Sequence, residues 1–174
     1  MACVWYNDIL ISGGRDCNIL SWSVGEEAYT GAIHAAHADW INALAVNASS
    51  GLLASSGNDF KVKLWSLQGN VLPKIPMREF VGHTGAVVSL RFLSADLLVS
   101  ASSDSTCKVW HAHKGHEVTT LYAHNTRVLS LAVMSNDEEL AMGCDDGTVY
   151  LFRPLIGHQI ATLTGYEHIV KRII

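Results

Sequence analysis

Four times along this chain an aspartate stands six residues ahead of an aromatic: Asp16 and Trp22, Asp59 and Trp65, Asp104 and Trp110, Asp146 and Phe152. The surrounding stretches read SGGRDCNILSW, SSGNDFKVKLW, SSDSTCKVW and MGCDDGTVYLF. The aspartates lie 43, 45 and 42 residues apart. A second marker holds the same phase, because His37, His83 and His124 precede Asp59, Asp104 and Asp146 by 22, 21 and 22 residues. A fixed period of this length describes one supersecondary unit copied in tandem, each copy burying its apolar face only against a neighbour.

Between the markers the chain alternates short strand-like runs with turns. INALAVN, VVSLRFL and VLSLAVM follow the three histidines. LLASS, LLVSAS and ELAMGC come next, then VKLWSL, CKVWHA and TVYLFRP, and last REFVG, EVTTLYA and QIATLTG. Val, Leu, Thr and aromatics fill these runs, and Gly, Asn, Asp and Ser fill the gaps. No run carries a sustained 3.6-residue apolar stripe, so no helix is expected. Each period therefore holds four strands, a, b, c and d.

On these residues the chain resembles the WD-repeat family over essentially its full length. The third copy, VGHTGAVVSLRF…LLVSASSDSTCKVW, matches best. The resemblance implies an all-β fold, a β-propeller segment of about four four-stranded antiparallel blades around a central channel. It also implies a non-catalytic scaffold for protein–protein interaction. The chain departs from the family in that Ser23, Ser66, His111 and Arg153, not aspartates, follow the four aromatics. The fourth copy has Phe152 for Trp and Met142 where the others have Ser.

The resemblance further implies a hydrogen-bonded set in each blade, joining the His before strand a, a Ser of strand b, the Asp of the b–c turn and the Trp of strand c. The sets would be His37, Ser55, Asp59, Trp65 and His83, Ser100, Asp104, Trp110. The first copy supplies Ser12, Asp16 and Trp22, and the fourth only His124 and Asp146. These types can satisfy one another away from water, since a neutral imidazole has one donor and one acceptor, an indole one donor, and a carboxylate only acceptors. Ser, His and Asp together also suggest a hydrolase triad. A catalytic site has no reason to recur in adjacent blades, and no G-x-S-x-G nucleophile turn is present, so the structural role is the expectation.

Composition narrows the function further. The net charge is −4 and Lys and Arg do not cluster, which argues against a nucleic-acid partner. No apolar run approaches the ~18 residues of a membrane span, and the N-terminus lacks the basic start of a signal peptide. Cys3, Cys17, Cys107 and Cys144 are scattered without a C-x-x-C pair, so neither a disulfide framework nor a zinc knuckle is expected. The expected setting is intracellular, cytoplasm or nucleus, with no cofactor and no metal. No Walker A loop, G-x-G-x-x-G or Trp-Asp-x-Arg box occurs.

Three other stretches stand out. In HAHKGH, His111 and His113 would share a face if strand c continued through them, giving two candidate metal ligands where zinc wants three or four. His158 in GHQ imitates the Gly-His marker out of phase and reads as a c–d turn residue. The in-phase position is Tyr166. GNVLPKIPMREF, Gly69 to Phe80, is the largest insertion and reads as a longer c–d loop, or a peripheral partner contact with Lys74 and Arg78 as its charges.

Partners of the family often dock on the d–a and b–c loops. Carried over by position, that face comprises Arg15, Asp39, Trp40, Asn58, Ser103, Asn125, Arg127 and Asp145, with Trp40 and Arg127 three residues after their histidines. The expected organisation is residues 1–35 as blade 1, 36–81 as blade 2, 82–122 as blade 3, 123–164 as a degenerate blade 4, and 165–174 as the first strand of a fifth. The ring is then incomplete. A fragment of a longer protein is one explanation, and self-association that completes the ring is another. Two further functions stay open at this point: a regulatory or sensor module of a larger protein such as an NTPase, and a ligand binder or enzyme using the central channel.

Overall fold

The computed structural model describes residues 1–94, 96–124, 126–134, 138–165 and 169–170. Among them every regular element is a strand, and no helix is long and apolar enough to cross a membrane. Sixteen strands form four antiparallel sheets, each with its strands in chain order. The first sheet is β1 (Ala2–Tyr6), β2 (Ile9–Gly13), β3 (Ile19–Ser23) and β4 (Ala28–Ile33). The second is β5 (Ile41–Asn47), β6 (Leu52–Gly57), β7 (Val62–Ser66) and β8 (Arg78–Phe80). The third is β9 (Val87–Phe92), β10 (Leu97–Ser102), β11 (Thr106–His111) and β12 (Glu117–Tyr122). The fourth is β13 (Val128–Val133), β14 (Leu140–Cys144), β15 (Val149–Arg153) and β16 (His158–Leu163). A strand expected from Ile169 onward is not seen at Ile169 and Val170, and residues 171–174, like Asn125 and Tyr166, lie outside the described residues.

Both faces of the inner sheets are apolar because each packs on a neighbour. In the second sheet one face carries Leu44, Leu53 and Trp65, and these join Ile9, Ile11, Ile19 and Ile33 of the first sheet in one core. The opposite face, with Ala45, Ala54 and Leu64, receives Leu90, Leu98 and Trp110 of the third sheet. Val99, Ala101, Cys107 and Val109 on the far side of the third sheet then receive Leu131, Leu140, Met142 and Phe152 of the fourth. The polarity is constant: the aromatic-bearing face of each sheet packs on the smaller-residue face of the sheet before it. Alternation with period two assigns the strand residues to these faces.

The pairing of strands c and d carries a register shift just before the aromatic in three sheets, at Ser21/Trp22, Val109/Trp110 and Leu151/Phe152. The second sheet differs. Its β8 is three residues long and pairs only as far back as Leu64 with Arg78. Pro73 and Pro76 precede it in the insertion and cannot donate to a ladder. Met77 N–H closes the edge on Leu64 O at 2.7 Å instead.

Candidate functional site

The b–c turns are built alike in all four sheets. Each aspartate is followed by a residue in the left-handed region, Cys17 (φ 62°), Phe60 (φ 67°), Ser105 (φ 69°) and Gly147 (φ 83°). Each carboxylate then accepts the backbone N–H two residues on: Asn18 at 3.4 Å, Lys61 at 3.2 Å, Thr106 at 3.0 Å and Thr148 at 2.9 Å. This is a local Asx turn that any Asp or Asn can make.

In the second and third sheets the same carboxylates also hold a histidine brought in by the preceding d–a loop. His37 Nδ1 lies 2.9 Å from both oxygens of Asp59, and its Nε2 lies 2.7 Å from Ser55 Oγ. Trp65 Nε1–H donates to that same Ser55 Oγ at 2.9 Å. In the third sheet His83 Nδ1 is 2.9 Å from Asp104, His83 Nε2 is 2.7 Å from Ser100 Oγ, and Trp110 Nε1–H donates to Ser100 Oγ at 2.8 Å. The residue after each histidine adds a backbone bond to the carboxylate, Ala38 N–H at 3.1 Å and Thr84 N–H at 2.8 Å. Donor counting sets the tautomer. Nδ1–H donates to the carboxylate, and Nε2 accepts the serine hydroxyl hydrogen, whose oxygen accepts from the indole.

Burial of His37 lowers its pKa despite the pull of Asp59, so the neutral imidazole is favoured. Burial works the other way on the two carboxyls and raises them. The histidine hydrogen bonds outweigh it, and both Asp59 and Asp104 end below the usual carboxylate range.

The order hydroxyl to imidazole to carboxylate is that of a hydrolase triad, and the surroundings remove the chemistry. Ser55 and Ser100 are wholly buried, and the lone-pair side of each Oγ already accepts an indole N–H. An acyl-transfer serine needs room for a carbonyl and donors aimed at its oxyanion. Nor are the thiols poised for attack: burial pushes Cys144 up to about 12 and Cys107 well above its ordinary value.

The outer sheets do not close the set. Trp22 Nε1–H reaches Ser12 Oγ at 3.1 Å, as in the inner sheets, yet Trp22 is 39% exposed against 1% for Trp65 and 3% for Trp110. Asp16 bonds only to Asn18. In the fourth sheet His124 is exposed, and its ring faces Tyr150 at 6.0 Å instead of joining Asp146, which only caps its own turn. The neighbouring Asp145 takes over the link to the d–a loop. It accepts from Thr126 Oγ1 at 2.6 Å, Arg127 N–H at 3.1 Å and Arg127 Nε at 2.6 Å. Two adjacent aspartates made this switch of residue invisible to spacing alone.

The candidate docking face is partly internal. Arg15 stacks its guanidinium 4.3 Å above the Trp40 ring, joining the first b–c turn to the next d–a loop. Trp40 remains 43% exposed, and Asp39 beside it is exposed. Asn58 is half-buried and accepts from Asn42 Nδ2, which also donates to Val87 O of the third sheet. Ser103 is half-buried with its N–H on Ala86 O, and Arg127 pairs with Asp145.

Strand β11 stops at His111, so His111 and His113 do not share a strand face. His113 bonds Asp96, and the ring of His111 stands 5.5 Å from that of His116. No cluster of three metal-ligating side chains occurs among the described residues. His158 is the first residue of β16 and pairs with Arg153, not a turn residue. Arg78 donates to His113 O at 3.2 Å, which ties the insertion of the second sheet to the c–d turn of the third, while Lys74 is exposed.

Comparison with known proteins agrees with this geometry. The family described as WD domain, G-beta repeat matches residues 30–66, 74–111 and 115–153, more than half of the chain. Coronin-7 of Homo sapiens is 34% identical over 110 residues, 60% of this chain and 12% of that protein. The COMPASS component SWD3 of Saccharomyces cerevisiae is 31% identical over 157 residues, 89% of this chain and 48% of its own length. The chain therefore spans at most about half of the relatives it matches.

Proposed function

We propose, for a chain that belongs to the WD-repeat family, a non-catalytic role as a protein-interaction scaffold, with the loops around Trp40 as its docking face. The observation that carries this reading is the Arg15–Trp40 pair. A large aromatic lies 43% exposed on a loop that the buried His37 set anchors from beneath, and a cation braces its ring. Rigid aromatic and arginine side chains on a fixed scaffold are what binding hot spots are made of. The buried serines support the non-catalytic part, because a substrate has no path to either hydroxyl. The name of the yeast relative places that protein in a complex, which fits a scaffold role.

The test compares affinity capture from cell extract by the natural chain, by Trp40→Ala and by Leu155→Ala, whose exposed side chain lies on the c–d turn of the fourth sheet. The reading expects Trp40→Ala to keep the β-sheet circular dichroism and thermal transition yet lose specific partners that Leu155→Ala retains. Equal recovery by all three contradicts the placement of the face. Labelling of Ser55 or Ser100 by a fluorophosphonate contradicts the non-catalytic part.

A further inference from the structure

We propose that two copies of this chain join head to tail, the fourth sheet of one packing on the first sheet of the other at both junctions. Within one chain the same contact is made three times, always aromatic-bearing face on smaller-residue face. The two halves of a fourth such contact remain at the chain's ends.

On the first sheet the open half is the row Trp5, Leu10, Trp22, Tyr29, paired across all four strands. It corresponds to Val46, Leu53, Trp65 and to Phe92, Leu98, Trp110. Leu53 and Leu98 are fully buried, whereas Leu10 is half-buried and Trp5 is 61% exposed. A groove of about 850 Å³ runs over this face. An aromatic patch of this extent left to water is a binding surface by default.

On the fourth sheet the open half is the row Ala132, Ala141, Leu151, continued by Ala161. Residue for residue it repeats Ala45, Ala54, Leu64, the row on which the Trp110 face sits. The small side chains leave the depth that an indole needs. The occupant that suits the Trp22 face is therefore a surface this same chain carries. A head-to-tail contact closes only if the rotation returns to the start, and otherwise grows into a fibre. Two copies close it with eight sheets and leave no apolar face open. At the inner edge Val170 already donates to Cys144 O at 3.1 Å and accepts from Ser130 Oγ at 3.2 Å. The partner copy's β1 must share that edge or displace it.

Light scattering across the micromolar range tests this on the full chain. The expected mass is twice the 18.9 kDa of one chain, constant above a threshold concentration. Leu10→Glu and Ala141→Glu each break both junctions and give single chains with an unchanged β-sheet spectrum. An equimolar mixture of the two variants restores one junction and returns a species of two chains, which a misfolded variant could not do. A natural chain that stays single, one that keeps growing with concentration, a dimer that survives either substitution, or a mixture that stays single would each overturn the proposal. Trp40 lies on neither face, so its docking role stands or falls separately.

Discussion

The second and third sheets and the first and fourth share one turn but not one socket. All four b–c turns present an aspartate whose carboxylate caps the N–H two residues on. Only Asp59 and Asp104 add the imidazole, the serine and the buried indole. The aspartate thus has a local reason to recur that does not depend on the histidine, and a long-range role where a histidine loop arrives from the preceding sheet. What separates the pairs of sheets is burial. Where a neighbour covers the aromatic face the polar set is sealed and must be complete, because an unpaired polar group there keeps its full desolvation cost. Where water reaches, as at Asp16 and His124, incompleteness is tolerated.

The largest test of that contrast is truncation of the aromatics. Trp65→Ala and Trp110→Ala should each cost ~3–5 kcal/mol in urea unfolding, since each removes a buried ring and strands a serine. Trp22→Ala should cost the single chain less than half as much. Equal losses at all three would dissolve the distinction.

Next in size is the imidazole itself. His83→Ala leaves Ser100 and Asp104 each short of a bond in the interior, about 1–3 kcal/mol apiece. His124→Ala, on an exposed ring, should stay within about 0.5 kcal/mol of the natural chain. A costly His124 substitution would show the fourth sheet to be closed after all.

Acid should weaken the same two sheets. The pKa of His37 is lowered by folding, so the unfolded chain binds the extra proton, and stability falls as pH drops through about 6.5. Asp59 and Asp104 are also lowered, so their contribution is full above the unfolded value near ~3.9 and is lost progressively below it. Urea midpoints that do not change from neutral pH to pH 4 would contradict the protonation states assigned here. The smallest expected effect is a gain. Ser105→Gly relieves a left-handed non-glycine residue and should add up to about 1 kcal/mol, visible as a raised thermal midpoint with the Asp104 cap intact.

Period and strand content were legible in the sequence because one unit is written four times with its turn residues in fixed places. His37, Ser55, Asp59 and Trp65 come together as expected from position, since a four-stranded antiparallel unit leaves a single geometry for residues 22, 4 and −6 from the turn aspartate. The fourth sheet was not legible in this way. Asp145 and Asp146 are adjacent, and choosing between them needs the direction of the turn, which spacing does not encode. The Arg15–Trp40 stack was equally hidden, because it joins two loops 25 residues apart whose approach is fixed only when the first and second sheets pack. The stop of β11 at His111 is set by the tight c–d turn, where Gly115 N–H returns to His111 O at 2.8 Å.

The central claim is that the repeated polar residues hold the sheets together and take no part in chemistry. Hydrogen exchange of the indole N–H groups, followed by NMR, tests it most directly. The Trp65 and Trp110 indoles should exchange only through global unfolding, while the Trp40 indole exchanges at once. Trp65 and Trp110 indoles that exchange as fast as that of Trp40 would mean that Ser55 and Ser100 stand open to solvent, and the claim would fail.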